Sequence, residues 1–302
     1  ISKFGKDEEF FKKVYPASIR PQAKDIVRTW LYYTLLRCEE LTGEKPWSEA
    51  WVMGYGLDEK GMKMSKSKGN AIDPLPVIEK LGADTFRFWS ASEINHGYDF
   101  RCNEQKIEST RKFLSKLWNV SRFLSSFPVI DSGVTNPSDK WILSELDKLV
   151  KECKKGYEEY NFFIPAIAIR EFTWNVFAAH YIEMVKARAY GINFSDEERD
   201  GAIFTLHKTL ATILKLLAPI TPFITEHLWK ILYSNESIHK EKQVDVENIE
   251  EQTEITKQIS EFNSKVWNEK KSQNLSLKDS IKIEIPEILK PFEKDLKSMH
   301  NL

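Results

Sequence analysis

The sequence predicts a mainly α-helical protein with an α/β segment at its start, a helical bundle at its centre and a small α/β appendage at its end. Three observations predict this. A short apolar run between Ala50 and Gly56 follows an amphipathic helix and reads as a buried strand. Beyond about Asn103, apolar residues recur at helical spacing through successive long runs. Near the end, Ile281-Lys282-Ile283-Glu284-Ile285 alternates strictly, the period of a strand.

A chain of 302 residues exceeds one ordinary domain and fits two with a small third, divided at 1–103, 104–240 and 241–302. Eighteen Phe and nine Trp can build a real core. Lys plus Arg (44) balance Asp plus Glu (45), so a nucleic-acid partner would have to bind a local basic patch. No run approaches the roughly 20 apolar residues of a membrane span, and the first residues form no secretory leader, so a cytoplasmic protein without a membrane partner is expected. Cys38, Cys102 and Cys153 lie far apart in sequence and suit neither zinc nor a disulfide framework. They read as structural thiols, and no metal site is expected.

In chain order, Ile26, Trp30, Tyr33 and Leu35 or Leu36 mark a helix from Asp25 to Cys38, closed by Gly43 and Pro46. Asp58 to Asn70 is a polar loop rich in lysine. Short helices follow at Pro74–Lys80 and Ala83–Ala91. Phe113, Leu117, Val120 and Leu124 stripe the first bundle helix. Further helical runs cover Trp141–Tyr160, Pro165–Tyr190 and Asp196–Leu217, and a fifth, interrupted by Pro219 and Pro222, resumes to Tyr233. Between Glu236 and Gln273 charge is dense, yet Ile249, Ile255, Ile259, Phe262 and Val266 keep a helical rhythm, which predicts a surface helix. A closing helix is expected within Glu287–Leu302.

The sharpest feature is the loop Gly61-Met62-Lys63-Met64-Ser65-Lys66-Ser67-Lys68-Gly69-Asn70. Three ammonium groups among small hydroxyls, bracketed by glycines that let a backbone come close, suit polyphosphate. Charge developing on a leaving pyrophosphate would be stabilised there. The alternative for any lysine–serine cluster is a solvated basic turn.

Lys63-Met64-Ser65-Lys66-Ser67 is the KMSKS signature of class I aminoacyl-tRNA synthetases, and the flanks Gly56-Leu57-Asp58, Lys68-Gly69-Asn70 and Asp73-Pro74 also resemble that family. The resemblance implies that Lys63 and Lys66 hold the phosphates of ATP, accompanied by Mg2+, during amino-acid adenylation. Lys66 is the stronger candidate. Met64 would lie near the adenine, with Ser65 and Ser67 completing the ATP-binding loop. It also implies that the first segment is the C-terminal part of a Rossmann-like catalytic domain and that the bundle binds an anticodon.

Upstream, Arg20-Pro21-Gln22-Ala23-Lys24-Asp25-Ile26-Val27-Arg28-Thr29-Trp30 resembles valyl-tRNA synthetases of archaeal type, although many relatives carry Gly where this chain has Ala23. By that resemblance Asp25 receives the α-amino group of valine, while Ile26 and Trp30 wall its side chain. On pattern alone, Ile26 and Trp30 read as core residues and Asp25 as a helix cap. An apolar wall rejects a hydroxyl-bearing isostere only weakly, by about a hundredfold in the valine enzymes themselves, so the family implies an editing domain. Neither that domain nor the HIGH motif occurs in these residues, and both normally lie upstream. The opening Ile1-Ser2-Lys3-Phe4 lacks an initiator Met, so a piece of a longer protein is expected, inactive alone in adenylation.

On the first bundle helix, Lys116, Asn119 and Phe123 share a face beside the core stripe, with Lys106, Arg111, Lys112 and Arg122 nearby. A cation, an amide and an aromatic side by side suit single-stranded RNA. The alternative is an ordinary amphipathic helix widened by Phe123. Lys116-Leu117-Trp118-Asn119-Val120-Ser121-Arg122-Phe123 resembles the opening helix of the anticodon-binding domain in these synthetases. Pro219-Ile220-Thr221-Pro222-Phe223-Ile224-Thr225-Glu226-His227-Leu228-Trp229 resembles a further signature of the bundle. The implied tRNA contacts are Lys116, Asn119, Arg122 and Phe123, and the implied partners are tRNA(Val), ATP and valine, bound by a monomer. His180, His207 and His227 show no ligand spacing, and Trp118, Trp174 and Trp229 read as packing residues, as do Tyr157, Tyr160 and Phe162. An isoleucyl-tRNA synthetase piece and a non-catalytic tRNA-binding module remain as alternatives.

Overall fold

The computed structural model describes residues 3–134, 136–250 and 252–302, so Ile1-Ser2 of the opening lies outside the described residues, as do single positions within the Asp131–Asp139 and Glu236–Gln273 stretches. Helix α1 (Glu8–Val14) is capped by Asp7, which accepts from the Phe10 N–H at 3.0 Å. Strand β1 (Ala17–Ala23) leads through a 3-10 turn (Lys24–Ile26) and a π turn (Val27–Leu31) into α2 (Tyr32–Thr42). Gly43 ends α2 with φ +72°, a conformation that costs other residues strain. Strand β2 (Trp47–Met53) returns parallel to β1, in register from Ala17 opposite Trp47 to Ala23 opposite Met53. This β1-α2-β2 crossover is the βαβ unit of a parallel sheet.

Two expectations change here. Strand β2 begins earlier than expected and is largely solvated, because among the described residues β1 is the only strand paired with it. Strand β1 itself escaped the sequence reading, since Pro21 and the polar Ser18, Arg20 and Gln22 break its apolar alternation.

Strand β3 (Gly56–Leu57) pairs in parallel with β4 (Phe100–Arg101). Between them lie the lysine loop, α3 (Pro74–Leu81) and α4 (Ala83–Glu93). Val77, Leu81, Trp89, Cys102 and Ile107 form a small core of their own.

The bundle comprises α5 (Glu104–Leu124), α6 (Pro137–Glu158), a continuous helix from Phe163 to Ala189, α9 (Asp196–Leu217) and α10 (Pro222–Leu232). The continuous helix runs as α7 (Phe163–Glu171), a π-wound stretch (Phe172–Tyr181) and α8 (Ile182–Ala189). A complete capping box starts α9: Ser195 accepts from the Glu198 N–H, and Glu198 accepts from the Ser195 N–H. The first segment is docked on this bundle through α4. Phe88 stacks on Phe113 with centroids 4.6 Å apart, and buried Asp84 accepts from the Ile224 N–H at 2.7 Å, capping α10 from another helix.

Helix α11 (Thr253–Ser272) is helical as expected but is no surface helix: Ile259, Phe262 and Val266 are buried in the bundle core. Buried Lys270 donates to the carbonyls of Leu277 and His300, both at 2.7 Å. His300 in turn donates to Asn263, which donates to His180. Burial, with Lys270 and His180 nearby, pushes His300 down to about 4.

Ile281–Ile285 forms no strand. Its alternation is real, since Ile281 and Ile285 are buried, but no strand among the described residues lies alongside to complete a ladder. One apolar core runs from Phe88 to Leu296, and residues of the 241–302 stretch, such as Ile259, Ile285 and Leu296, are part of it.

The last helix, α12 (Glu293–His300), is joined to the bundle by a buried ion cluster. Arg188 of α8 meets Asp139 of α6 through two bonds of 2.7 and 2.6 Å and Asp295 of α12 through two of 3.1 Å. Tyr181 donates to Asp139 at 2.6 Å and Ser138 to Asp295 at 2.5 Å, so the second negative charge is also solvated by the protein. Burial works against the guanidinium charge, yet Asp139 and Asp295 outweigh it and hold Arg188 protonated. Arg188→Met strands two carboxylates and is expected to reduce the unfolding free energy by about 3–5 kcal/mol, measured by denaturant titration.

Candidate functional site

The lysine loop is organised by Asp58 and Asn70, one at each end. Asp58 accepts from the N–H groups of Lys60 (3.0 Å) and Met62 (2.8 Å) and from the Asn70 amide at 2.8 Å. Asn70 accepts from the Ser65 N–H at 2.9 Å and donates to the Lys63 carbonyl at 3.3 Å. These bonds hold the Asp58 carboxyl below its ordinary range, the Asn70 bond first among them. Leu57 and Lys63 form an antiparallel bridge, so the loop is a tight return rather than a free strand of chain.

Met64 is half-buried and packs on the small core that includes Trp89 and Ile107. Gly56 makes room for it, since a Cβ there would come within 2.8 Å of the Met64 methyl. Ser65 begins a 3-10 turn at Lys66–Lys68 by accepting from the Lys68 N–H at 3.3 Å, and it lies 3.2 Å from the Ser67 hydroxyl. The loop is anchored from below by Met64 and its tip is open. Lys66 and Lys68 are exposed and, among the described residues, have no ion-pair partner.

Lys63 is different. Its ammonium donates to Asp25 at 2.5 Å and lies 4.2 Å from the centre of the Tyr55 ring. A second ammonium, Lys24, lies 4.1 Å from the centre of the same ring and pairs with Asp99, which also accepts from the Tyr55 N–H at 2.7 Å. Two ion pairs therefore flank one aromatic ring. Tyr55, Lys24 and Asp99 carried no signal in the sequence, because they meet only through the folding of β2 and β4 toward the turn after β1.

Asp25 does not cap a helix, since its carboxylate is taken by Lys63 and the turn at Lys24–Ile26 has no side-chain cap. Ile26 (39 % exposed) and Trp30 (58 %) are open to solvent, so they are not core residues either. Arg20 lies 5.8 Å from the Trp30 ring centre. The structure thus leaves a carboxylate and two apolar side chains on open surface, with the carboxylate touching the first lysine of the loop.

A second feature is a groove of about 430 Å³ lined by Glu108, Arg111, Lys112, Ser115, Lys116 and Asn119 of α5 and by Trp174 of the π-wound stretch. Lys116 lies 5.9 Å from the centre of the Trp174 ring. Lys116 and Asn119 are together as expected, but Arg122 and Phe123 lie elsewhere. Phe123 is packed edge-on to Phe127 and Tyr190, with Lys186 over its face. Trp174 (38 % exposed) and Trp118 (42 %) are exposed, so of the three tryptophans read as packing residues only Trp229 is buried. The aromatic member of the expected trio is supplied from a different helix.

Two family descriptions match in succession. "tRNA synthetases class I (I, L, M and V)" covers residues 2–102, and "Anticodon-binding domain of tRNA ligase" covers residues 139–285. The chain belongs to the class I aminoacyl-tRNA synthetases. Within that class its relatives are valine–tRNA ligases: it is 43 % identical to that of Pyrobaculum aerophilum over 98 % of this chain and 38 % of the relative. It is 39 % identical to that of Aeropyrum pernix (97 % and 37 %) and 40 % to that of Nanoarchaeum equitans (99 % and 39 %). The chain spans under two fifths of the length of these curated relatives.

Solved structures share the fold. A LeuRS–tRNA–LeuAMS ternary complex of Agrobacterium radiobacter K84 superposes with TM-score 0.66 at 22 % identity, over 80 % of this chain and 30 % of that one. Mycobacterium tuberculosis methionyl-tRNA synthetase with methionyl-adenylate gives 0.65 at 21 %, over 79 % and 49 %. Helix α5 falls between the two matched segments. No helix among the described residues is long and apolar enough to cross a membrane.

The Lys63 bond, then its charge, hold the Asp25 carboxyl below the ordinary carboxylate range. A depressed carboxylate keeps its pairing above the ordinary pKa and loses it as pH falls through the lowered one. NMR titration of the Asp25 carboxyl carbon is expected to give a midpoint below that of an unpaired Asp, and Lys63→Gln to raise it to the ordinary range. An unchanged midpoint in the variant would show that the pair does not form in solution.

Proposed function

We propose that this chain provides the pyrophosphate-handling loop, one wall of the amino-acid pocket and the tRNA-binding helices of a valine–tRNA ligase. The reaction is valine plus ATP to valyl-adenylate and pyrophosphate, then transfer of valine to the terminal adenosine of tRNA(Val). The observation that carries the reading is the contact between Asp25 and Lys63, because it puts the phosphate loop and the amino-acid wall in one site.

In this reading Asp25 accepts from the α-ammonium of valine, and Ile26 and Trp30 line the side-chain pocket. Lys66, exposed at the loop tip and without an ion-pair partner among the described residues, provides a point charge for the phosphate oxygens of Mg–ATP and for the departing pyrophosphate. Lys63, Ser65 and Ser67 add donors around it. Met64 fixes the base of the loop, so that closure moves the tip over the nucleotide as charge develops. ATP–pyrophosphate exchange by the full-length protein with valine, isoleucine and threonine tests the substrate. Lys66→Ala is expected to slow valine-dependent exchange by about a hundredfold or more. Wild-type exchange in that variant would overturn the assignment of the loop.

The groove on α5 is the proposed RNA contact. Arg111, Lys112 and Lys116 meet phosphates, Asn119 reads a base edge and Trp174 offers a stacking face, while Arg122 is exposed further along α5, outside the groove. Lys116→Ala and Trp174→Ala are each expected to weaken binding of unmodified tRNA(Val) by about tenfold. Filter binding across a salt series checks this, and only the lysine change should flatten the salt slope.

A further inference from the structure

Helices α6 and α7 are joined by the short connection 159–162 and so run antiparallel as a helical hairpin. Between them lies a groove of about 420 Å³ that shares no residue with the lysine loop or with the α5 groove. Its floor is apolar, with Leu149 and Phe172 buried and Phe163 and Ile167 half-buried. Glu145, Lys148 and Glu152 of α6 line one wall, and Glu171 and Asn175 line the other.

Glu145 is out of place by the ordinary rules of burial. It is 9 % exposed, and its Oε1 has no hydrogen-bond partner among the described residues. A buried acceptor left without a donor is costly, and folded chains satisfy nearly all of them. The donors lining the groove do not satisfy this one: Lys148 has a partner of its own and does not bond that oxygen, and Asn175 donates to Glu171 at 2.6 Å. Glu171 also meets Arg170 at 3.5 Å. Glu152, by contrast, is exposed and has no ion-pair partner among the described residues. The rise of α6 sets Glu145 and Glu152 about 10 Å apart along its axis, and both side chains lean the same way, so their carboxyls keep that spacing.

We propose that this groove binds a linear aliphatic amine with two terminal ammonium groups about 10 Å apart, a polyamine of the size of spermidine. One ammonium donates to Glu145, the methylene chain lies on the apolar floor and the far ammonium meets Glu152. An extended chain advances about 3.5 Å per three bonds, so the roughly nine bonds of spermidine or 1,8-diaminooctane span the two carboxyls, and the roughly five of putrescine do not. A metal ion fits this groove less well, because the described residues hold no cluster of three metal-ligating side chains and the floor is apolar. The site is independent of the adenylation loop.

The test is calorimetric titration of the full-length protein, free of tRNA and nucleotide, with 1,8-diaminooctane, spermidine, putrescine and octylamine. The two long amines are expected to bind one to one, and putrescine, which reaches a single carboxyl, about threefold or more weaker. Glu145→Gln should weaken 1,8-diaminooctane by about tenfold or more, because it removes a charge-assisted bond in a buried place, and Glu152→Gln by about two- to fivefold. Far-UV circular dichroism identical to the wild type shows that both variants fold. In the wild type 1,8-diaminooctane should bind more tightly than octylamine, and in Glu152→Gln that advantage should disappear, a comparison from which any purely structural effect of the substitution cancels. Equal binding of the two to the wild type would assign the groove to a single ammonium, such as a lysine side chain, and overturn the proposal. Undiminished binding to Glu145→Gln would mark a general attraction of polyamines to acidic surface and do the same, as would the absence of binding to the wild type.

Discussion

Arg188 is buried among three helices with two carboxylates for company, and the placement of much of the molecule follows from that fact. A guanidinium without water must find hydrogen-bond acceptors in fixed directions, and here Asp139, Asp295 and the Glu198 carbonyl provide them. An apolar core lets helices slide with modest loss, whereas a forked charge network is satisfied in one arrangement only. The cluster therefore sets the mutual position of α6, α8, α9 and α12. It also explains why the last sixty residues join the bundle core instead of forming a separate unit.

From that bundle the geometry is handed to the loop by short, directional contacts. Asp84 caps α10 across the junction, Phe88 stacks on Phe113, and His96 meets the Tyr160 carbonyl at 3.2 Å. Helix α4 thus meets the bundle through Asp84 and Phe88 and the small core on which Met64 packs through Trp89. The consequence is a loop whose base is packed through Met64 while its lysine tip is open. That division between a held base and a free tip suits a segment that must close over a substrate and open again.

The π-wound stretch does a comparable service for the proposed RNA groove. Widening a helix in mid-course changes which side chains face out, and it brings Trp174 beside Lys116 of α5. Exposed charge pairs around Tyr55 are of the opposite kind to the Arg188 cluster: solvated, weak and exchangeable. Burial separates the two, a desolvated network in one case and partly solvated ion pairs in the other.

Much of this was legible in the residues alone. Helical period marked α5, α6, α9 and α10, and the loop from Gly61 to Asn70 carried the signature of the class, because local spacing encodes both amphipathic faces and a cluster of ammonium groups. The sequence also pointed to the class and to the segment around Asp25. It did not reveal strand β1, whose polar residues and Pro21 hide a pairing that only β2 makes worthwhile. It marked Ile281–Ile285 as a strand, because alternation reports burial on one face and says nothing about a neighbour to bond with. Above all, Asp25 and Lys63 stand 38 residues apart in sequence and touch only in the folded chain. Patterns along a chain determine elements and composition of a site, while contacts between distant elements, and so the pairing of Lys63 with Asp25, Trp174 with Lys116 and Arg188 with Asp295, depend on packing that no local spacing contains.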